Sequence, residues 1–515
     1  MKKFLKIVFG RATVVAIAII LQIIFSIFLP YLLNYWYPHI FNNVYLHIEL
    51  IINTLALILI VYLINSNTTV EGKLTWVVTI LVFPILGLIL YTLFVRETPP
   101  FKHKKYYKAC EKQIVKFQSR ESVEIDELKR VLGSRFGQFE YIYSSTNLKA
   151  YKNSSVQFCP TGEKFFEELV KELEGAKKYI FMEYFIIERG EMWLKILNVL
   201  KRKVEQGVEV RVMYDDLGTI NKLPSNYARR LKKLGIKCVK FNSFLPIMSA
   251  MHNNRDHRKI AIVDGKVAFI GGINIADEYI NVVKRFGYWK DTAVKIRGEA
   301  VKSVLLMFLQ MFDVHNQEME NFSYYINDIE SVKTDGVVCP FADGPKYYCK
   351  EYVGENVYLN LINQAQKYLW ITTPYLIIDS KLTTALCSAA RRGVDVRIVT
   401  PHIPDKKIIL SMTRSNYKIL QEAGVKVFEY SKGFIHAKQI LCDDDLAVVG
   451  TINLDYRSLL HHYECGVLMF KTKSIKDIKA DFENILIESK DMKNFKQKAI
   501  TRLFCAICKL FTPML

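Results

Sequence analysis

Two short runs in the chain share one spacing of reactive residue types. His257, Arg258 and Lys259 are followed by four residues and Asp264, then six more and Gly271-Gly272-Ile273-Asn274; His436, Ala437 and Lys438 are followed by four residues and Asp443, then six more and Gly450-Thr451-Ile452-Asn453. On a β-strand residues i and i+2 face the same side, so each histidine is expected to project beside its lysine. An imidazole next to an ammonium suits a phosphoryl group: the ring nitrogen attacks phosphorus while the cation holds the non-bridging oxygens. Lysine is not a usual zinc ligand, so His-x-Lys does not read as a metal site. Displacement at a phosphodiester needs one group to attack and another to protonate the leaving oxygen, and one histidine from each run supplies the pair. Asn274 and Asn453 are candidate donors to the phosphate oxygens. Glu464 is a candidate for holding a histidine tautomer from the far ring nitrogen. Asp264 and Asp443 complete the candidate set. A single His-x-Lys is ordinarily a solvated strand; a second copy in the same register favours catalysis.

The elements that position these residues are duplicated as well. Lys178-Tyr179-Ile180-Phe181 followed by Tyr184-Phe185-Ile186-Ile187 matches Lys367-Tyr368-Leu369-Trp370 followed by Tyr375-Leu376-Ile377-Ile378. Gly207-Val-Glu-Val-Arg-Val matches Gly393-Val-Asp-Val-Arg-Ile, and Gly235-Ile-Lys-Cys-Val-Lys-Phe matches Gly424-Val-Lys-Val-Phe-Glu-Tyr. A longer loop in the first copy, 242–256, takes up most of the change in offset. Short β-branched runs at 208–213 and 394–399 predict buried strands, and the leucine-bearing charged stretches before them, 193–205 and 382–392, predict amphipathic helices. Helix then strand, repeated, predicts an α/β fold of two pseudo-symmetric halves, 151–335 and 336–515, packed together.

The 515 residues carry 71 Lys+Arg against 51 Asp+Glu, a formal net charge of +20, and half of them are hydrophobic. That excludes a disordered tail, a collagen-like repeat and a small disulfide scaffold, and the sign of the charge favours an anionic partner. The ten cysteines are scattered and mostly in apolar surroundings, so they are expected to be reduced and buried; the close pair Cys505 and Cys508 lacks a second pair to complete a zinc site. Three apolar stretches, 12–33, 44–64 and 74–95, are each about long enough to cross a hydrocarbon core of roughly 30 Å. Residues 1–98 are therefore expected to form a membrane anchor of two or three helices, and 99–150 a basic linker and lead-in. Lysines and arginines flank both ends of the anchor, while 34–43 has none and suits an outside loop; the positive flanks point to a cytoplasmic body. Three full crossings cannot satisfy both flanks, so the number of crossings stays open.

The paired His-x-Lys-x4-Asp runs with an asparagine further on resemble the phospholipase D superfamily. Within it, Asn254 to Lys259, Gly271 to Asn274 with Glu278-Tyr279, and Tyr288-Trp289-Lys290-Asp291-Thr292 are similar to the first half of bacterial cardiolipin synthases. Thr373-Pro374-Tyr375, Pro401 to Asp405, and Gly450 to Ser458 with Glu464 are similar to the second half, and the apolar ends resemble that family too. The resemblance implies transfer of a phosphatidyl group from one phosphatidylglycerol to another, with release of glycerol and without metal, nucleotide or other cofactor. It implies His257 as nucleophile and His436 as general acid, with Lys259, Lys438, Asn274 and Asn453 on phosphate. The expected partners are phosphatidylglycerol and anionic membrane lipids, not nucleic acid, and the expected place is a bacterial cell membrane, crossed more than once. A phospholipase D hydrolase, or a transferase with another acceptor, shares every one of these residues.

Overall fold

The computed structural model describes Tyr31, Tyr35 and residues 38–94, 101–243, 253–327, 329–334 and 336–512. The first expected span, 12–33, lies outside these residues apart from Tyr31, and so does most of the long first-copy loop.

The strands of the first half are β1 (Ser154–Cys159), β2 (Tyr179–Tyr184), β3 (Glu209–Asp215), β4 (Lys237–Phe241), β5 (Lys259–Val263), β6 (Val267–Gly271), β7 (Tyr288–Lys290) and β8 (Ala293–Gly298). Those of the second are β9 (Val337–Asp343), β10 (Tyr368–Thr372), β11 (Leu376–Ile377), β12 (Asp395–Pro401), β13 (Lys426–Tyr430), β14 (Gly433–Ile435), β15 (Gln439–Cys442), β16 (Leu446–Gly450), β17 (Leu454–Asp455), β18 (Glu464–Phe470) and β19 (Ser489–Asp491). The first sheet runs β1-β8-β6-β5-β2-β3-β4 and the second β19-β13-β12-β10-β15-β16-β18-β9. Read in opposite directions these are one topology, with β19 added at an edge. In each, three parallel strands (β2-β3-β4 and β10-β12-β13) continue into antiparallel ones. The duplication expected from the sequence is thus a duplication of topology.

Amphipathic helices cover the sheets. Helix Glu191–Glu205 buries Met192, Trp193, Ile196, Val199 and Leu200, the stripe its 3.6-residue period requires. Helix Val301–Asn316 is mostly apolar, and every residue from Ser303 to Val314 is buried. A helix of that kind belongs inside a core. Its leucines, methionines and phenylalanines share one cluster with Phe181, Ile260, Ile270 and Val294 of the first sheet and Ala447, Val449, Val467 and Met469 of the second. The two halves therefore pack as one body around a common core. All ten cysteines are unpaired, and nine are buried.

Residues 101–146, expected as linker, instead fold as helices Phe101–Phe117, Ser122–Leu132 and Phe136–Thr146. Tyr107, Cys110 and Ile114 enter the central cluster. Apolar residues spaced three and four apart among the lysines produce that face.

Described residues 38–94 and 506–512 belong to a compact unit of their own. Helix Pro38–Asn65 starts at a proline, which has no N–H to lose at the first helical position, and so covers part of the expected outside loop 34–43. Its portion Leu46–Asn65 is, among the described residues, the one helix long and apolar enough to cross a membrane. Leu50, Leu57 and Ile58 are exposed on it, as a lipid-facing surface requires. The third expected span is not continuous. Helix Val70–Val82 ends at Phe83, and Pro84 opens a second helix, Pro84–Phe94. Residues seven apart on a straight helix lie about 10.5 Å from each other, yet a Cβ on Gly87 would come within 2.7 Å of the Ile80 Cα, so the chain doubles back. Two helices of 13 and 11 residues replace the crossing, and the described residues do not bear out a multi-pass anchor.

Candidate active site

The two histidines are held by the opposite halves of the body. Strand β14 pairs with β7 in parallel, Ile435 opposite Lys290, and the His436 N–H donates to the Lys290 carbonyl at 2.7 Å. The next residue after Lys290 is Asp291, whose Oδ2 is 2.6 Å from His436 Nδ1. In the pseudo-symmetric place Asp256 bridges Tyr463, and the His257 N–H donates to the Tyr463 carbonyl at 2.9 Å. The next residue after Tyr463 is Glu464, whose two carboxylate oxygens are 2.9 and 3.0 Å from His257 Nδ1. Backbone pairing between the halves thus places each carboxylate at the ring nitrogen of the other half's histidine. A carboxylate at Nδ1 keeps the proton there and leaves the Nε2 lone pair free. The Thr451 hydroxyl donates to Glu464 Oε2 and anchors it.

The lysines stand where the i, i+2 spacing places them. Lys259 Nζ donates to the His257 carbonyl and Lys438 Nζ to the His436 carbonyl, and Lys438 Nζ is also 2.6 Å from His436 Nδ1. All four side chains are buried. Burial, followed by the charges of Lys259, Lys438 and His436, pushes His257 well below the usual histidine range. Burial and Lys438 bring His436 down to about 4 against the pull of Asp291. Burial also lowers Lys259 to about 8 and Lys438 to about 7. Each half's cation acts on the other half's histidine, so the four groups lie near one another. Aromatic rings pack beside the histidines: Phe185 lies edge-on to His257 at 5.1 Å, and Trp289 and Tyr279 lie 5.4 and 5.6 Å from His436.

Between a histidine and its lysine the intervening residue points the other way. Arg258 enters the core and meets Glu183 at 2.6 Å with both side chains fully buried, while Ala437 occupies the equivalent place in the second half. Arg255 meets Asp215 at 3.1 Å, and Asp215 also accepts from the Asp256 N–H. These pairs clamp the backbone on either side of His257.

Asn274 accepts from the Ile186 N–H at 3.0 Å and donates to the Tyr279 hydroxyl at 2.7 Å, which leaves one amide proton for a ligand. Asn453 is buried, bonded to Asp455, and its amide oxygen has no partner among the described residues.

Asp264 and Asp443 do not join this cluster. Each lies at the far end of the strand that follows its lysine, five residues and so about 16 Å away along an extended chain. Asp264 accepts the N–H groups of Lys177, Lys178 and Tyr179, and Asp443 those of Gln366, Lys367 and Tyr368. Both have φ of 53°, a left-handed conformation that aspartate tolerates better than most residues. They clasp the turn that leads into β2 and β10, a structural role.

Asp291 is the residue of this cluster that the spacing of the runs misses. It stands 17 residues after Asn274 whereas Glu464 stands 11 after Asn453, and it is a different acid. The family-like segment around Tyr288 to Thr292 was the available signal. Gly272 explains part of the glycine pattern: a Cβ there would sit 2.1 Å from Asp291 Oδ1.

A family model for the cardiolipin synthase, phospholipase D-like domain matches residues 169–285 and 358–486, and one for a phospholipase D-nuclease N-terminal region matches 51–96. A cardiolipin synthase of Halalkalibacterium halodurans is 33% identical over 89% of this chain and 91% of its own length. One from a Geobacillus strain is 35% identical over 87% and 90%. An uncharacterized protein of Streptococcus mutans is 44% identical over 88% of this chain and 99% of its own. Among solved structures, the phosphatidylserine synthase of Haemophilus influenzae superimposes with a TM-score of 0.57 at 16% identity, over 74% of this chain and 99% of that one, which shows the shared fold. With both halves matched and the relatives aligned over nearly nine-tenths of its length, the chain belongs to the cardiolipin synthase family of phospholipase D-type phosphatidyltransferases.

Proposed function

We propose that this protein makes cardiolipin by transferring a phosphatidyl group from one phosphatidylglycerol to the primary hydroxyl of another. The crossed histidine–carboxylate pairs, with a buried lysine beside each histidine, carry the reading. His257, its Nδ1–H donated to Glu464, attacks phosphorus through Nε2. The bond to the glycerol oxygen breaks, and His436 gives that oxygen its proton. His436 then takes the proton of the incoming hydroxyl, whose oxygen attacks phosphorus and breaks the phosphorus–nitrogen bond. Lys259 and Lys438, with the free proton of Asn274 and the Asn453 amide, hold the non-bridging oxygens.

Without substrate both histidines are neutral at pH 7, which suits the nucleophile. The acid needs a proton, and an anionic phosphodiester between the lysines supplies the field that brings it. The neighbouring carboxylates serve the histidines, and Asp264 and Asp443 serve the fold. We place the body on the cytoplasmic face of a bacterial cell membrane, where the lysines flanking the apolar segment and the net charge of +20 meet anionic headgroups.

The test is mass spectrometry of the lipids formed when the purified protein meets phosphatidylglycerol alone in the presence of chelator, beside His257→Ala. Cardiolipin and free glycerol from the wild type only are expected. Phosphatidic acid in their place would make the protein a hydrolase, and turnover only with another alcohol would refute the acceptor.

A further inference from the structure

His462 lies next to the proposed nucleophile and takes no part in the reaction described above. It is only 8% exposed, and neither ring nitrogen has a hydrogen-bond partner among the described residues. Two unsatisfied ring nitrogens in a buried site are costly unless something else uses them. His462 Nδ1 stands 3.6 Å from Glu464 Oε1, and its ring centroid is 5.4 Å from that of His257. One ligand atom from each of His257, His462 and Glu464 lies within 4.8 Å of the other two. A tetrahedral zinc ion, bonded at about 2.0–2.1 Å, holds its ligands about 3.4 Å apart. Movements of about 1 Å would close the three atoms around such an ion.

From this juxtaposition we propose that His257, His462 and Glu464 form an inhibitory site for a borderline-soft transition-metal ion such as Zn2+. Two imidazoles and one carboxylate with a fourth position open are a zinc donor set. Mg2+ prefers an octahedron of oxygens and gains little from nitrogen, so it has nothing to offset repulsion by Lys259 and Lys438.

The inhibition follows from the tautomer and rests on the reading of His257 as nucleophile. Without metal, Nδ1 carries the proton and Nε2 the reactive lone pair. For a metal to bind Nδ1 the proton moves from Nδ1 to Nε2, which frees the Nδ1 lone pair for the metal and occupies the one on Nε2. Glu464 turns from hydrogen-bond acceptor to metal ligand. No electron is transferred and no proton is lost, but the attacking nitrogen no longer has a lone pair to give.

The experiment uses the full chain in detergent with Zn2+ or Co2+ alone as probe. Co2+ reports geometry through its visible absorption, and Zn2+ is titrated into phosphatidylglycerol turnover. A tetrahedral Co2+ spectrum is expected, together with Zn2+ inhibition that chelator reverses. His462→Gln is expected to keep metal-free turnover, to lose the spectrum, and to require about 10-fold or more Zn2+ for the same inhibition; His462→Asn serves if the glutamine variant does not fold. Equal Zn2+ sensitivity in variant and wild type, or turnover that requires Zn2+, would overturn the proposal. A Co2+ spectrum that depends on His462 in a protein with no lipid turnover would uphold the site and sink the functional reading. Turnover that ignores Zn2+, with no Co2+ bound, would do the reverse.

Discussion

Replacing Glu464 by glutamine and Asp291 by asparagine separates the two histidines by role. Glu464 is fully buried and presents both oxygens to His257 Nδ1 at 2.9 and 3.0 Å; Asp291, also fully buried, presents one to His436 at 2.6 Å. A hydrogen bond to a charged group contributes about 1.5–3 kcal/mol. Each amide keeps the shape of the acid but loses the charge that steadies an imidazolium or a phosphorylated imidazole, so each variant should slow cardiolipin formation by about 10- to 150-fold. The distinction appears with a phosphatidyl ester of p-nitrophenol, whose phenolate departs without a proton. Stopped-flow measurement of its first burst reports attack by His257 alone. Asp291→Asn should then recover nearly the wild-type burst rate, and Glu464→Gln should stay slow. Recovery of Glu464→Gln in place of Asp291→Asn would reverse the roles of the histidines. Wild-type rates in both variants on the natural substrate would refute the claim that carboxylates from the opposite halves orient them.

Lys438 at about 7 and Lys259 at about 8 are both raised by a bound phosphodiester anion, so binding near pH 7–8 should take up protons. Calorimetry with short-chain phosphatidylglycerol in buffers of different ionisation enthalpy measures this uptake; affinity should weaken as pH rises through this window, and absence of uptake would contradict the lowered lysines. Asp443→Ala removes the acceptor of three backbone amides and the 2.9 Å partner of Arg135. Thermal unfolding should show a loss of about 2–5 kcal/mol, with turnover per folded molecule preserved; lost turnover in a stable protein would return Asp443 to the active site. Gly272→Ala forces a methyl against the Asp291 carboxylate, and its activity should fall to the level of Asp291→Asn with secondary structure unchanged by circular dichroism.

Local patterns carried the halves, the strands and the inward face of His-x-Lys, because strand period and repeated spacing act over a few residues. Strands expected at 208–213 and 394–399 are observed at Glu209–Asp215 and Asp395–Pro401. What stayed hidden depends on contacts between distant segments. The partner of His436 is 145 residues away in the chain, and neither its spacing nor its acid matches the second half. Asp264 and Asp443 share the repeat with the histidines, yet repetition marks a fold's joints as readily as its chemistry. Pro84 and Gly87 were visible in the third apolar stretch, but a proline in lipid can kink a helix or end it. The close approach of Gly87 to Ile80 decides between these, and no local pattern encodes it.

The exchange of carboxylates between the halves means that neither half is a smaller version of the enzyme. A lone half would fold a histidine and a lysine with no acid to orient them, and a carboxylate with no histidine to serve. Two copies of one half, meeting face to face, would restore both pairs with perfect symmetry. Tandem fusion of the halves removes the concentration dependence of that meeting and frees each copy to specialise. The chain bears marks of such freedom: Gly272 with the short Asp291 on one side, Thr451 with the longer Glu464 on the other.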